Sequence, residues 1–469
     1  MDEIAGRWIP LGLVYLAAAC HLANLDAEIY DAMAKGHGYP EIEGRFRASR
    51  ADYVAATAIT ATINDALKAL ELAKTIKADT VTILGGVHPT FMYEEILASS
   101  AAVDYIVIGE GEVTLRHLLE VLESGGDPET VAGIAFRRNG TIVTTARRPL
   151  MENIDDLPAA WELLDWADYY SLVIPDSRLA AISTSRGCLH DCTFCSQQKF
   201  WEKSWRARAP RQVADELEYL YRTHKVNVFL ITDEYPTSSR ERWEALLDAV
   251  IAKEMPIHLL METRATDILR DKDILWKYRK AGIIYVSTGI ETANQSTLDT
   301  LKKGLVLEEI KQVFDLLREQ EIVSEASFMV GFPDETTESI KRTMQLAQHY
   351  SPDIANFFTF TPWPYADDYK TLKPLIRTHD YGKYNLVDPV IEPHAISILQ
   401  IEVAIADGYR CFYMSKIMEY MTMKATFKRD YLMRITKLFM SSGFVIKKLG
   451  VGMLGKIPAK LEELRRGKG

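Results

Sequence analysis

Cysteine is scarce in this chain: there are five in 469 residues, and three of them fall within eight positions. A disulfide framework needs cysteines paired along the chain, so this distribution points instead to a reduced compartment and one local metal site. Cys20 and Cys411 stand alone and read as apolar fillers. Basic charge is also short. The formal net charge is −10, which argues against the basic face of a nucleic-acid binder. No run of about 18 uncharged apolar residues occurs, so no segment reads as a membrane span. The apolar stretch Leu11–Leu22 follows acidic Asp2 and Glu3 and lacks a cleavage site before Asp26. It reads as a buried helix in a cytoplasmic protein, not as a signal peptide.

What is present is ordinary in bulk, with 48% hydrophobic and 26% charged residues, and the length allows two or three domains. In residues 1–132, short apolar runs at 52–60, 80–84 and 105–108 alternate with amphipathic helices at 67–77 and 114–124. That alternation predicts a doubly wound, Rossmann-like parallel sheet. Residues 133–177 read as a hairpin around Asn139-Gly140 followed by an acidic linker. From 178 to 365 the βα rhythm lengthens, with strands expected at 180–184, 227–231, 257–261, 283–288, 323–330 and 354–360. Helices are expected between them at 210–223 and 238–253. Six units predict a partial (β/α)6 barrel. Residues 366–469 read as mainly helical, and Ala425–Gly469 carries eleven Lys/Arg against three Asp/Glu, a net +8.

The chemistry-bearing motif is Cys188-x3-Cys192-x2-Cys195, placed just after the first barrel strand, with Phe194 before the last cysteine. Three thiolates on one loop can ligate three irons of a 4Fe–4S cluster and leave the fourth iron open. An open iron can chelate S-adenosylmethionine (SAM), and reductive cleavage of its sulfonium yields a 5′-deoxyadenosyl radical. The competing reading is zinc, with His190 as a fourth ligand. Strand ends add polar groups where α/β barrels collect chemistry: Asp233 and Glu234, Glu262 and Arg264, and Glu291. Each of these also suits a helix cap.

The cysteine loop and the units after it resemble the radical SAM superfamily. That resemblance implies SAM contacts for Asp233, Glu234, Glu262, Arg264 and Glu291. A doubly wound domain ahead of such a barrel resembles the cobalamin-dependent class, with ligand expected at the carboxyl ends of the strands. Those ends offer Thr57, Thr60, Gly85, Gly86, His88, Gly109 and Glu110. The Asp-x-His-x-x-Gly loop that supplies a cobalt ligand in many cobalamin domains is absent.

Longer stretches are similar to the anaerobic magnesium-protoporphyrin IX monomethyl ester cyclase family. They include Leu84-Gly-Gly-Val-His-Pro-Thr-Phe91, Cys195-Ser-Gln-Gln-Lys-Phe-Trp201 and Thr361-Pro-Trp-Pro-Tyr365. The resemblance implies cluster, SAM and cobalamin as cofactors, a tetrapyrrole substrate, and an electron donor such as ferredoxin or flavodoxin. It also implies an upstream first strand that Met1 would follow, leaving the neighbouring strand with an open edge. A cobalamin-dependent C-methyltransferase shares both domains and the same cysteine loop; a non-catalytic cobalamin or metal sensor is a third reading, which the intact cysteine loop and SAM-type strand ends argue against.

Trp201, Trp205, Trp363 and Tyr365 suit either the aromatic walls of a tetrapyrrole cleft or ordinary core packing. The stretch Met433–Leu449 suits a solvated helix face, or a basic amphipathic segment lying on a membrane surface.

Overall fold

The computed structural model describes residues 7–424 and 426–441. The chain forms two α/β units. In the first, β1 (Tyr53–Thr57), β2 (Val81–Gly85) and β3 (Tyr105–Val107) are parallel and pair in that order. The hairpin expected in the linker belongs instead to this sheet. β4 (Ile134–Arg138) pairs antiparallel with β3, and β5 (Thr141–Thr144) closes the far edge. The hairpin is held there because Ile134, Ala135 and Phe136 are apolar and buried. β1 is the other edge, with Ala55 and Thr57 exposed.

Helices Ile63–Ile76 and Val87–Ser99 cover one face of this sheet, and Gly111–Glu123 covers the other. The expected helix Leu11–Leu22 is present and apolar all round, which marks a helix buried on several sides. Leu16 and Cys20 pack toward the first sheet, whereas Val14 joins the core of the second unit. It is a wedge between the two.

β1 ends earlier than its apolar run suggests. The Thr62 hydroxyl accepts the Ile59 N–H at 3.1 Å and turns residues 60–62 into a 3-10 turn.

The second unit is the expected partial barrel. Six parallel strands run in the order β6 (Leu179–Ile182), β9 (Val228–Ile231), β10 (His258–Glu262), β11 (Ile283–Glu291), β12 (Val323–Val330) and β13 (Ile354–Thr359). Their nearly continuous apolar character fits strands covered on both faces. An antiparallel ribbon, β7 (Ser185–Gly187) with β8 (Trp205–Ala207), brackets the cysteine loop.

Residues 366–397 are mostly irregular, with one short α-helix at Tyr369–Leu372, and the long helices of this region are Ile398–Thr422 and Phe427–Ser441 among the described residues. Cys411 lies on the exposed side of the first of these, not in the core. Tyr431 and Leu432, on the second, enter a buried cluster with Leu179, Val228 and Leu260. Lys428 anchors this helix by pairing with buried Asp353 at 2.8 Å. In the described part of Met433–Leu449, Ile435 and Leu438 pack partly buried against that cluster, while Met433, Arg434 and Lys437 are exposed; residues 442–449 lie outside the described residues. Leu432→Ala should lower stability by about 2–5 kcal/mol, measured as a fall in the urea midpoint of the whole chain.

Candidate functional site

The cysteine loop is held by buried polar contacts on both sides. Gly187 has φ +95°, and a Cβ there would run into the Ser204 carbonyl oxygen, so only glycine leads into Cys188. Asp233, 4% exposed, accepts from the Thr184 N–H at 2.7 Å and from the Thr184 and Ser185 hydroxyls, each at 2.6 Å. Burial pushes its carboxyl up to about 6 against those hydrogen bonds. Glu234 accepts the Gly187 N–H at 3.2 Å and the Trp201 indole N–H at 2.8 Å. Both acids were expected to face SAM. Both are engaged in fixing the ribbon, because the turn out of β6 leaves backbone and hydroxyl donors that burial forces to find acceptors.

Inside the loop, the Gln198 amide donates to the Cys192 carbonyl at 3.0 Å. Burial pushes the Cys195 thiol up to about 11, with Cys192 and Cys188 adding to the shift and Lys303 opposing it. Burial raises Cys188 as well. Three thiols within electrostatic reach of one another, with Cys188 and Cys195 costly to ionise alone, suit a shared cationic cluster that offsets the charge. The donor set therefore fits the cluster. Among the described residues no three His, Cys, Asp or Glu side chains converge closely enough for one metal ion. His190, the alternative zinc ligand, lies against the Tyr235 ring at 5.0 Å. Burial lowers its pKa to about 4, with Arg264 and Lys303 contributing.

The barrel mouth above the loop holds the remaining candidates. Glu262 ends β10, open to solvent yet ringed by protein; burial raises its pKa, as does nearby Glu325. Arg264 donates through Nη2 to the Lys303 carbonyl, while its buried Nε has no partner among the described residues. Glu291, at φ +72° after a register break in β11, pairs with the Lys303 ammonium. Lys303 itself lies 5.9 Å from the Phe194 ring centre. Sequence reasoning missed this lysine. Its only trace is the run Lys302-Lys303-Gly304 after the fourth barrel strand.

In the first unit, a cleft opens at the carboxyl ends of β1–β3. Its lining includes Thr57, Gly85, Gly86, Gly109 and Glu110 of the expected set. Gly86 has φ +103° and no room for a Cβ, while Gly109, also at positive φ, faces open space that a side chain would fill. Arg186, Phe200 and Trp201 close the cleft from the cysteine-loop side.

Thr60 and His88 belong elsewhere. His88, 1% exposed, shares its Nδ1 with the Thr60 hydroxyl at 3.1 Å, and Thr60 meets the Tyr365 hydroxyl at 2.9 Å. Burial lowers the His88 pKa to about 4. The pair ties the first unit to the 361–365 loop, because the early end of β1 turns Thr60 away from the cleft. Tyr365 therefore joins the units, Trp201 walls the cleft, Trp205 donates to the Tyr235 carbonyl at 2.9 Å, and Trp363 packs against the buried cluster that Phe194 also meets.

Glu110 is on the cleft wall but already paired. It accepts from Arg186 at 2.8 Å, from Arg206 at 3.0 Å and from the Met151 N–H at 2.7 Å. Glu112 pairs with Arg186 at 2.6 Å.

Residues 1–119 match the B12 binding domain, and residues 182–347 match the radical SAM superfamily. The chain is 36% identical over 460 residues to the anaerobic magnesium-protoporphyrin IX monomethyl ester cyclase of Rubrivivax gelatinosus, covering 97% of this chain and 82% of the relative. The chain belongs to the anaerobic cyclase family of cobalamin-binding-domain radical SAM proteins.

A protein of Pyrococcus horikoshii described as an uncharacterized methyltransferase is 27% identical over 449 residues, covering 95% of this chain and 93% of that one. The fold is shared with the radical SAM methyltransferase TsrM of Kitasatospora setae, solved with tryptophan and a SAM analogue. The TM-score is 0.70 at 15% identity, covering 100% of this chain and 98% of that one. In this member of the cyclase family, Asp233→Asn puts an amide donor among three donors and should cost about 1–3 kcal/mol. Iron bound after anaerobic reconstitution should fall while far-UV circular dichroism stays close to that of the wild type.

Proposed function

We propose that this protein forms the isocyclic ring of (bacterio)chlorophyll from magnesium-protoporphyrin IX monomethyl ester without molecular oxygen, as a radical SAM oxidoreductase. One observation carries the reading: 36% identity to the Rubrivivax cyclase is sustained over 460 residues, across both cofactor domains. Cys188, Cys192 and Cys195 would hold the 4Fe–4S cluster, and the β1–β3 cleft with Thr57, Gly85, Gly86 and Gly109 would hold cobalamin. When bound, the cluster supplies the electron that cleaves SAM to a 5′-deoxyadenosyl radical, which abstracts hydrogen from the substrate side chain.

The chain's own groups bind and orient. Arg264, with an unpartnered Nε, takes the SAM carboxylate in the fork geometry a guanidinium favours. Glu262 and Glu291 accept from the ammonium or ribose hydroxyls, and Lys303 balances their charge. Phe194, Phe360 and Trp363, packed in one apolar group beside the loop, offer an aromatic wall to a tetrapyrrole. A ferredoxin or flavodoxin would deliver its electron over Leu189, which is 60% exposed in the cysteine loop. Membrane contact through the basic tail rests on residues 442–469, which lie outside the described residues. No described helix is long and apolar enough to cross a membrane.

The second reading, a cobalamin-dependent C-methyltransferase, is favoured by the near full-length match to the Pyrococcus protein. Anaerobic incubation of the reconstituted protein with cobalamin, SAM, reductant and magnesium-protoporphyrin IX monomethyl ester separates the two. Divinyl protochlorophyllide and 5′-deoxyadenosine without S-adenosylhomocysteine is the expected outcome. A methylated product with S-adenosylhomocysteine would transfer the assignment to the second reading. Arg264→Lys removes the fork and should weaken SAM binding by about tenfold, or 1.4 kcal/mol, measured by equilibrium dialysis.

A further inference from the structure

Glu112 opens the helix Gly111–Glu123 and lines the cleft at the carboxyl ends of β1–β3. It is only 7% exposed. One carboxylate oxygen, Oε1, holds the Arg186 guanidinium at 2.6 Å. The other, Oε2, is buried and has no hydrogen-bond partner among the described residues. A bare buried carboxylate oxygen forfeits the hydrogen bonds it makes in water, so Oε2 lacks a donor. Neighbouring Glu110 is different, since Arg186, Arg206 and the Met151 N–H already serve its two oxygens. Glu112 Oε2 is the acceptor left over.

The chemistry of the missing donor follows from the walls. Leu16, Ile83, Val107 and Leu115 line the same cleft, with the Trp201 ring across from them. The occupant is thus largely apolar, with a neutral N–H donor at its edge. A carboxylate there would face Glu112 with like charge and no proton to give. A primary carboxamide satisfies both demands, and a corrin ring carries such groups around its rim.

We infer that Glu112 Oε2 accepts an N–H from one peripheral carboxamide of the corrin, so that Glu112 distinguishes amide from acid at that position. The inference rests on the reading that cobalamin occupies this cleft. The same residue links that contact to the cysteine loop, because its other oxygen holds Arg186, two residues before Cys188.

The monocarboxylic acids of hydroxocobalamin, one for each peripheral amide converted to an acid, form a set of probes. All carry the same net charge, so a difference among them reports position and not bulk electrostatics. Equilibrium dialysis of the full chain against hydroxocobalamin and each isomer should show one isomer held about tenfold or more weakly. The others should bind within a small factor of the parent. In Glu112→Gln, whose amide can donate to a carboxylate, the gap for that isomer should close. Equal binding of all isomers by the wild type overturns the inference without needing any variant, as does a gap that persists in Glu112→Gln. Failure of the wild type to hold hydroxocobalamin itself would overturn the cobalamin reading, and this inference with it.

Discussion

One buried guanidinium sets where the cysteine loop lies. Arg186 sits in β7, immediately before Gly187 and Cys188, and pairs with Glu110 and Glu112 of the first unit. Its plane is flanked by the rings of Tyr15 and Trp201, with Cζ 5.6 and 5.8 Å from their centres. With little water within reach, none of these charges has an alternative partner, and removing one would leave the others buried and uncompensated. The contact therefore fixes the two units relative to each other at the place where cleft and loop meet. Arg206 repeats the arrangement from β8, pairing with Glu110 and covering the same indole.

Around that anchor the acids at the strand ends divide by what they face. Asp233 and Glu234 turn toward the ribbon, where Gly187, Thr184, Ser185 and Trp201 present donors. Glu262 and Glu291 turn into the barrel mouth, where Lys303 is the nearby cation. The first pair provides rigidity beneath the cysteines. The second pair leaves a charged rim able to meet a zwitterion. One strand end thus supplies support and its neighbours face the open mouth, although in sequence they look alike.

The far side of the barrel is closed by the chain's own later helices. Glu325, near the start of β12, accepts from the Tyr285 and Ser287 hydroxyls and sits among tyrosines of the last two described helices. Lys428 and Asp353 lock the last described helix across the barrel base. Closure there leaves the mouth, beside the cysteine loop and the first unit, as the open end where chemistry collects.

Much of this was legible in the residues. Six apolar runs at regular spacing encode parallel strands because each must be covered on both faces, and three clustered cysteines encode a shared metal centre because thiolates have few other reasons to gather. Glycines 86 and 187 mark backbone approaches that no side chain allows. Side-chain direction was not legible. Whether Asp233 reaches into the mouth or back to the ribbon depends on donors exposed by a turn near residue 184, far from it in sequence. Thr60 and His88 left the cleft because Thr62 ended β1 early, and Lys303 joined the site only because a break in β11 swung Glu291 toward it. The sequence by itself determined the two domains, their order and the chemistry of the loop, since those follow from local periodicity and ligand spacing. Only the tertiary structure decided which charges brace the ribbon and which face the mouth, because in a buried site a charge's role is set by the partners that long-range packing brings to it.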